Sequence, residues 1–183
     1  MNVIRAWAAL SADRALEPCE FDPGPLGAEE VEIAVEYRGI CQSDLSVIDN
    51  EWDISSYPVV PGHEAVGRVV ALGDQATGLT IGQRVGAGWN SGCCLYCPHC
   101  LAGDQQLCAR IQPTIVGHRG AFADWLRAHW VWVIPIPEAL DASAVGPLLC
   151  GGITVFSPLL NLSVKPTQSV GVVGIGGPER LGL

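Results

Sequence analysis

Four cysteines crowded into fifteen residues constrain this chain more than any other feature. Cys94, Cys97, Cys100 and Cys108 follow the spacing C-x2-C-x2-C-x7-C. Four thiolates meet the soft, tetrahedral donor set that zinc takes in a closed structural site. A loop this short wraps one ion, and metal binding supplies folding energy that the loop itself lacks. Buried thiols without a metal rarely crowd in this way. Iron accepts the same ligands, with zinc as the default. Cys93 adjoins the run and could exchange with Cys94, so the register stays open here.

The compartment bears on that reading. Eight cysteines in a secreted chain would point to disulfides, whereas in a reducing cytoplasm clustered thiols are metal ligands. The N-terminal stretch MNVIRAWAALSADRALEPCE lacks a basic region followed by an apolar core and cleavage site. No signal peptide is predicted and a cytoplasmic location is expected. No apolar run reaches the ~18 residues that span a bilayer. Ten basic residues, of which Lys165 is the single lysine, stand against nineteen acidic ones, for a net charge of -9. That balance argues against nucleic acid and anionic membrane surfaces as partners. With 49% apolar and 16% charged residues, the chain has enough apolar side chains for a core.

Alternating or β-branched runs predict strands at 3–10, 31–40, 65–72, 84–87, 122–127 and 130–134. Strands of this number and spacing predict a partly closed barrel. Short helices are expected at 43–48, from an Asp141 N-cap through 149, and over 151–162. Residues 169–177, SVGVVGIGG, read as a buried parallel strand. The fold class is therefore mainly β with short helices (α+β).

A second constellation is dispersed. GICQSDL surrounds Cys41, PGHEAVGRVV surrounds His63, and PLLCGGIT surrounds Cys150. Each segment offers one or two metal-type ligands beside glycine, and a catalytic zinc takes such a mixed set while leaving one position open. With the cysteine loop between them, and with SVIDNEW, WVWVIP, GPLLCGGITVF and VGVVGIGG, these segments come in a familiar order. The chain resembles the zinc-dependent medium-chain alcohol dehydrogenase/reductase family. Within it the match is to the cinnamyl-alcohol-dehydrogenase-like branch, nearest its bacterial broad-specificity NADPH-dependent aldehyde reductases. The resemblance runs from the N-terminus to about Gly177.

The resemblance implies a zinc-dependent alcohol dehydrogenase/aldehyde reductase on a GroES-like, partly open barrel. Cys41, His63 and Cys150 would hold a catalytic zinc, with Glu64 as an exchangeable carboxylate ligand. Cys94, Cys97, Cys100 and Cys108 would hold a structural zinc, making two ions per chain. Ser43 would touch the substrate oxygen and begin a proton relay, its plain alternative being to cap the 43–48 helix. Asp44 would orient the His63 ring. Gln42 would face the phosphates of NADP(H) or NAD(H), where many relatives carry histidine. Ser46 stands where many relatives end the relay with histidine. Thr154 would pack on the nicotinamide ring, and Gly174, Gly176 and Gly177 would open a G-x-G-x-x-G fingerprint. Trp52 and Trp89 would wall the pocket for an alcohol or aldehyde substrate.

The fingerprint departs at its last step, where Pro178, Glu179 and Arg180 stand in place of a third glycine. Leu183 then ends the sequence after one strand of a fold that needs several βαβ units. The expected organisation is a zinc-binding catalytic domain over 1–150 and, over 151–183, a linking helix and first strand of a dinucleotide-binding (Rossmann) domain, as a C-terminally truncated stub. Low nicotinamide-dependent turnover by these 183 residues alone is expected, because no hydride donor is preorganised. The rival expectation is a non-catalytic zinc-holding remnant or interaction module. A homo-oligomer is compatible with either.

Overall fold

In the computed structural model, residues 3–173 are described. In chain order the elements are β1 (Ile4–Ala8), β2 (Glu17–Phe21), β3 (Glu30–Arg38), α1 (Gln42–Ile48), β4 (Ala65–Leu72), β5 (Arg84–Ala87) and β6 (Asn90–Gly92). There follow α2 (Pro98–Ala102), β7 (Gln112–Pro113), β8 (Trp125–His129), β9 (Val133–Pro135), α3 (Ala142–Val145) and α4 (Gly151–Asn161). The fold is mostly sheet with a few short helices, as the sequence pattern predicts.

Five antiparallel strands in the order β8-β3-β4-β5-β9 make the main sheet. Val31 and Ile33 of β3 face the same side as Val69, Val85, Leu126, Ala128 and Val133, and all are buried. Burying the valine, isoleucine and leucine side chains stabilises by roughly 1.5–3 kcal/mol each. The β1–β2 hairpin closes over one end through isolated bridges from Ala6 to Ala123 and from Ala9 to Val59.

Glu32 breaks the alternation of β3. It is buried, and it lies directly opposite Arg127 in the β3–β8 register. The Arg127 Nε donates to its Oε2 at 2.8 Å. The guanidinium also donates to the carbonyls of Pro23, Gly24 and Pro25. The loop after β2 is thereby pinned to the sheet, and the buried carboxylate keeps its counter-charge.

Several elements depart from the sequence reading. β2, β6 and β7 are not among the expected strands: β2 alternates in burial but carries Pro18 between two acidic residues, and β6 and β7 are only three and two residues long. Residues 130–132 form a 3-10 turn instead of a strand, with the His129 ring accepting from the Val131 N–H. The expected 141–149 helix is two pieces, α3 and a 3-10 turn over 146–149, and proline at 147 marks the change. Residues 169–173 carry no strand, and 174–177 of that expected element lie outside the described residues. Among the described residues no single helix is long and apolar enough to cross a membrane.

Candidate metal centres

The dispersed site forms where three chain segments meet at one end of the sheet. Cys41 is the N-cap of α1, in extended conformation. Helix α1 begins at Gln42, so Ser43 lies inside it and is not its cap. Asp44 closes the turn instead, because its Oδ2 accepts from the Cys41 backbone N–H at 3.0 Å. The other oxygen of Asp44 accepts from the Gly62 N–H at 2.8 Å and meets His63 Nδ1 at 2.8 Å. Asp44 and His63 are both buried. A carboxylate at Nδ1 keeps the proton there, so Nε2 presents its lone pair away from Asp44.

That lone pair points to the cluster. His63 Nε2 lies 3.2 Å from Cys150 Sγ, and Cys150 Sγ lies 3.9 Å from Cys41 Sγ. A carboxylate oxygen of Glu64 completes a set in which all four ligand atoms lie within 4.8 Å of one another. Cys150 reaches the site from the junction between the 3-10 turn and α4.

Two glycines permit this approach. Gly62 has φ +97, a left-handed conformation that L side chains rarely adopt, and it turns the chain so that His63 faces inward. Gly39 donates its N–H to the Glu64 carbonyl at 2.9 Å. A Cβ on Gly39 would run into Glu64 Oε2, so only glycine leaves that carboxylate its place. Neither glycine was singled out by composition, though both sit within the segments GICQSDL and PGHEAVGRVV.

Burial pushes the Glu64 carboxyl up from the usual range, the nearby His63 opposing and Asp44 adding to the rise. Burial likewise pushes the Cys150 thiol up to about 12, reinforced by Cys41 and the two carboxylates. These donors crowd negative charge together, and a cation among them relieves the repulsion. The donor set therefore fits a divalent ion of borderline softness.

The Trp89 and His63 rings meet edge to face, centroids 4.9 Å apart and planes at 83°. Trp52 meets Trp89 at 6.1 Å and is about half exposed. The two indoles form an aromatic wall beside the cluster, open to solvent at Trp52. Ser43 is half-buried, Gln42 and Thr154 are exposed, and Ser46 is buried. Gly174, Gly176 and Gly177 lie outside the described residues.

The second cluster is local. Cys97 caps α2, Pro98 opens it, and Gly103 ends it in a left-handed conformation. A 3-10 turn over 105–107 then delivers Cys108. Cys94 Sγ lies 3.9 Å from Cys100 Sγ and 3.5 Å from Cys108 Sγ. The ligand atoms of Cys94, Cys97, Cys100 and Cys108 all lie within 4.8 Å of one another. Hydrogen bonds from the Tyr96 backbone, joined by Cys97 and Cys108, hold the Cys94 thiol down to about 6 against its desolvation. Burial pushes Cys100 well up, with the neighbouring thiols adding to it. Four thiols side by side cannot all ionise without a cation, and with one they match the tetrathiolate preference of zinc.

Residues 27–138 match the alcohol dehydrogenase GroES-like domain. The chain belongs to that family. Among the relatives of this GroES-like domain, aldehyde reductase AdhA of Synechocystis sp. is 55% identical over 181 residues, covering 99% of this chain and 54% of that protein. Aldehyde reductase YahK of Escherichia coli is 39% identical, covering 98% and 54%. A cinnamyl alcohol dehydrogenase from Sorghum bicolor superposes with a TM-score of 0.94 at 35% identity, over 99% of this chain and 54% of that one. The Helicobacter pylori cinnamyl alcohol dehydrogenase complexed with NADP(H) gives 0.92 at 30% identity, over 98% and 55%. The chain spans about half the length of the curated relatives it matches.

Proposed function

We propose that the chain is the zinc-binding catalytic part of an alcohol dehydrogenase/aldehyde reductase that interconverts an alcohol and an aldehyde with a nicotinamide nucleotide. The observation that carries this reading is the convergence of Cys41, His63, Glu64 and Cys150 within 4.8 Å, with Asp44 behind the imidazole. Names of similar proteins support it: aldehyde reductase, cinnamyl alcohol dehydrogenase and NADP-dependent alcohol dehydrogenase. The proposed division is a catalytic domain over 1–150, with 151–183 leading into a dinucleotide-binding domain.

Cys41, His63 and Cys150 would hold the catalytic zinc, with Glu64 the exchangeable fourth ligand, and Cys94, Cys97, Cys100 and Cys108 the structural one. A bound zinc supplies a Lewis acid that draws charge from a carbonyl oxygen and lowers the pKa of an alcohol. The protein's own groups do the rest. Asp44 fixes the tautomer and direction of His63. The Ser43 hydroxyl, in the first turn of α1, both donates and accepts and would pass a proton at its Oγ to and from the substrate oxygen. Trp52 and Trp89 favour an apolar or aromatic substrate body. The nicotinamide nucleotide, NADP(H) or NAD(H), supplies the hydride. Gln42, Thr154, Gly174, Gly176 and Gly177 are the proposed contacts to it.

The test is metal analysis of the purified protein together with NADPH oxidation at 340 nm in the presence of benzaldehyde. Two zinc ions per chain, falling to one in His63→Ala, are expected, and the low aldehyde-dependent oxidation expected of these 183 residues should vanish in the same variant. Zinc confined to the four-cysteine loop in the parent protein would remove the proposed chemistry.

A further inference from the structure

We propose that Cys93 and Cys100 form a peroxide-sensitive dithiol that opens the four-cysteine cluster. The inference rests on the reading that this cluster holds zinc. Five thiols stand around it, yet only Cys94, Cys97, Cys100 and Cys108 have ligand atoms that fit a single ion. Cys93 is the fifth, and its Sγ lies 3.8 Å from Cys100 Sγ, as near as Cys94 is at 3.9 Å. With four donors satisfying zinc, Cys93 retains an uncoordinated thiol beside a ligand. The Cys93 side chain is half-buried, so a small oxidant reaches it, whereas Cys100 is buried. Bond formation requires the two sulfurs to close from 3.8 Å to about 2.0 Å.

The chemistry balances with hydrogen peroxide as oxidant. The Cys93 sulfur attacks one peroxide oxygen, the O–O bond breaks, and hydroxide leaves with the thiol proton as water. The resulting sulfenic acid is attacked by the Cys100 sulfur. The S–S bond forms, the S–O bond breaks, and the second oxygen leaves as hydroxide, which takes a proton from solvent because a ligating Cys100 carries none. The two sulfurs lose two electrons, the Cys93 thiol and solvent supply one proton each, and peroxide becomes two waters. Cys100 is thereby withdrawn from the metal, leaving Cys94, Cys97 and Cys108. Three donors no longer close a tetrahedral site, and α2, which carries Cys100, loses its anchor.

The rival location is Cys41–Cys150, whose sulfurs also lie 3.9 Å apart. Both of those are proposed ligands, so neither is left free when zinc is bound. The zinc-loaded protein is treated with a small excess of hydrogen peroxide. Released zinc is followed with a chromogenic chelator, and the disulfide is located by peptide mass mapping. One zinc per chain should be released, with a Cys93–Cys100 cross-linked peptide and a mass loss of two hydrogens. Dithiothreitol and added zinc should restore the metal. Cys93→Ser should bind both ions as the parent does, and release zinc to peroxide about tenfold more slowly. Equal release from Cys93→Ser, or a map placing the disulfide only at Cys41–Cys150, overturns the proposal. So does a Cys93→Ser protein that no longer holds the loop zinc, since Cys93 would then be a ligand. Absence of loop zinc before any oxidant is added would instead overturn the zinc reading beneath it.

Discussion

The four-cysteine cluster draws its ligands from fifteen consecutive residues, whereas Cys41 and Cys150 of the other cluster are 109 positions apart. The loop needs little from the sheet. Its geometry comes from a five-residue helix capped by Cys97 and Gly103 and from a 3-10 turn before Cys108. The dispersed site needs nearly everything: the start of α1, the turn at Gly62, the entry to β4 and the junction before α4. Closing a short loop costs little chain entropy, and closing several long ones costs more. One cluster can therefore organise around its ion, while the other is assembled by the fold and then offered to an ion.

This contrast can be broken most directly by ligand removal. Cys97→Ser should empty the loop and leave the dispersed site filled, taking zinc from two ions to one per chain with the far-ultraviolet sheet signal intact. Zinc binding in small structural sites is worth about 10 kcal/mol or more, so the loop itself should lose its order. Cys150→Ser should do the converse. Loss of both ions in either variant, measured by atomic emission, would mean that the two clusters are one cooperative unit.

A smaller effect separates dependence on the sheet. Glu32→Ala leaves Arg127 without its buried partner, and it should lower stability by about 3 kcal/mol or more in urea titrations. The ion at Cys41, His63 and Cys150 should be released within that transition, with the loop zinc leaving at higher urea. Simultaneous release would again erase the distinction.

Asp44→Ala sharpens it further. Removing the group that holds His63 should weaken the dispersed site by about 10–100-fold while leaving loop affinity unchanged, as read by competition with a chelator. Equal weakening of both sites would point to a general loss of fold.

The smallest expected effect lies at neither cluster. The Ser143 hydroxyl and N–H bond to Asp141 and hold its carboxyl below the usual range. A lowered folded-state pKa stabilises above the unfolded pKa of about 4, and this is lost as pH falls through the folded value. Asp141→Ala should flatten a small part of the stability profile between about pH 5 and pH 2, with both metal occupancies at neutral pH unchanged.

The same contrast governs what the sequence made legible. The spacing of Cys94, Cys97, Cys100 and Cys108 is a local signal, and the four sulfurs do converge. β3, β4 and β5 were readable because Val31, Ile33, Val69 and Val85 recur on a buried face. β2, β6 and β7 were not, since β2 is broken up by Pro18 and two glutamates, and β6 and β7 are too short to show a period. At the dispersed site, Cys41, His63, Glu64 and Cys150 came from resemblance, not from spacing. The permission given by Gly39 appears only when β3 and Glu64 are seen side by side. Capping of α1, the plain alternative for Ser43, rested on hydroxyls usually filling that position, whereas here Cys41 does so with help from Asp44.

Asp44 touches the Cys41 amide, the Gly62 amide and the imidazole with one carboxylate. Fraying of the first turn of α1 and rotation of the His63 ring should then be a single event. In deuterium labelling, the amides of residues 41 and 62 should lose their protection at one common rate, although they lie 21 positions apart. The helix start thus acts as a latch, and the imidazole stays aimed only while it is closed.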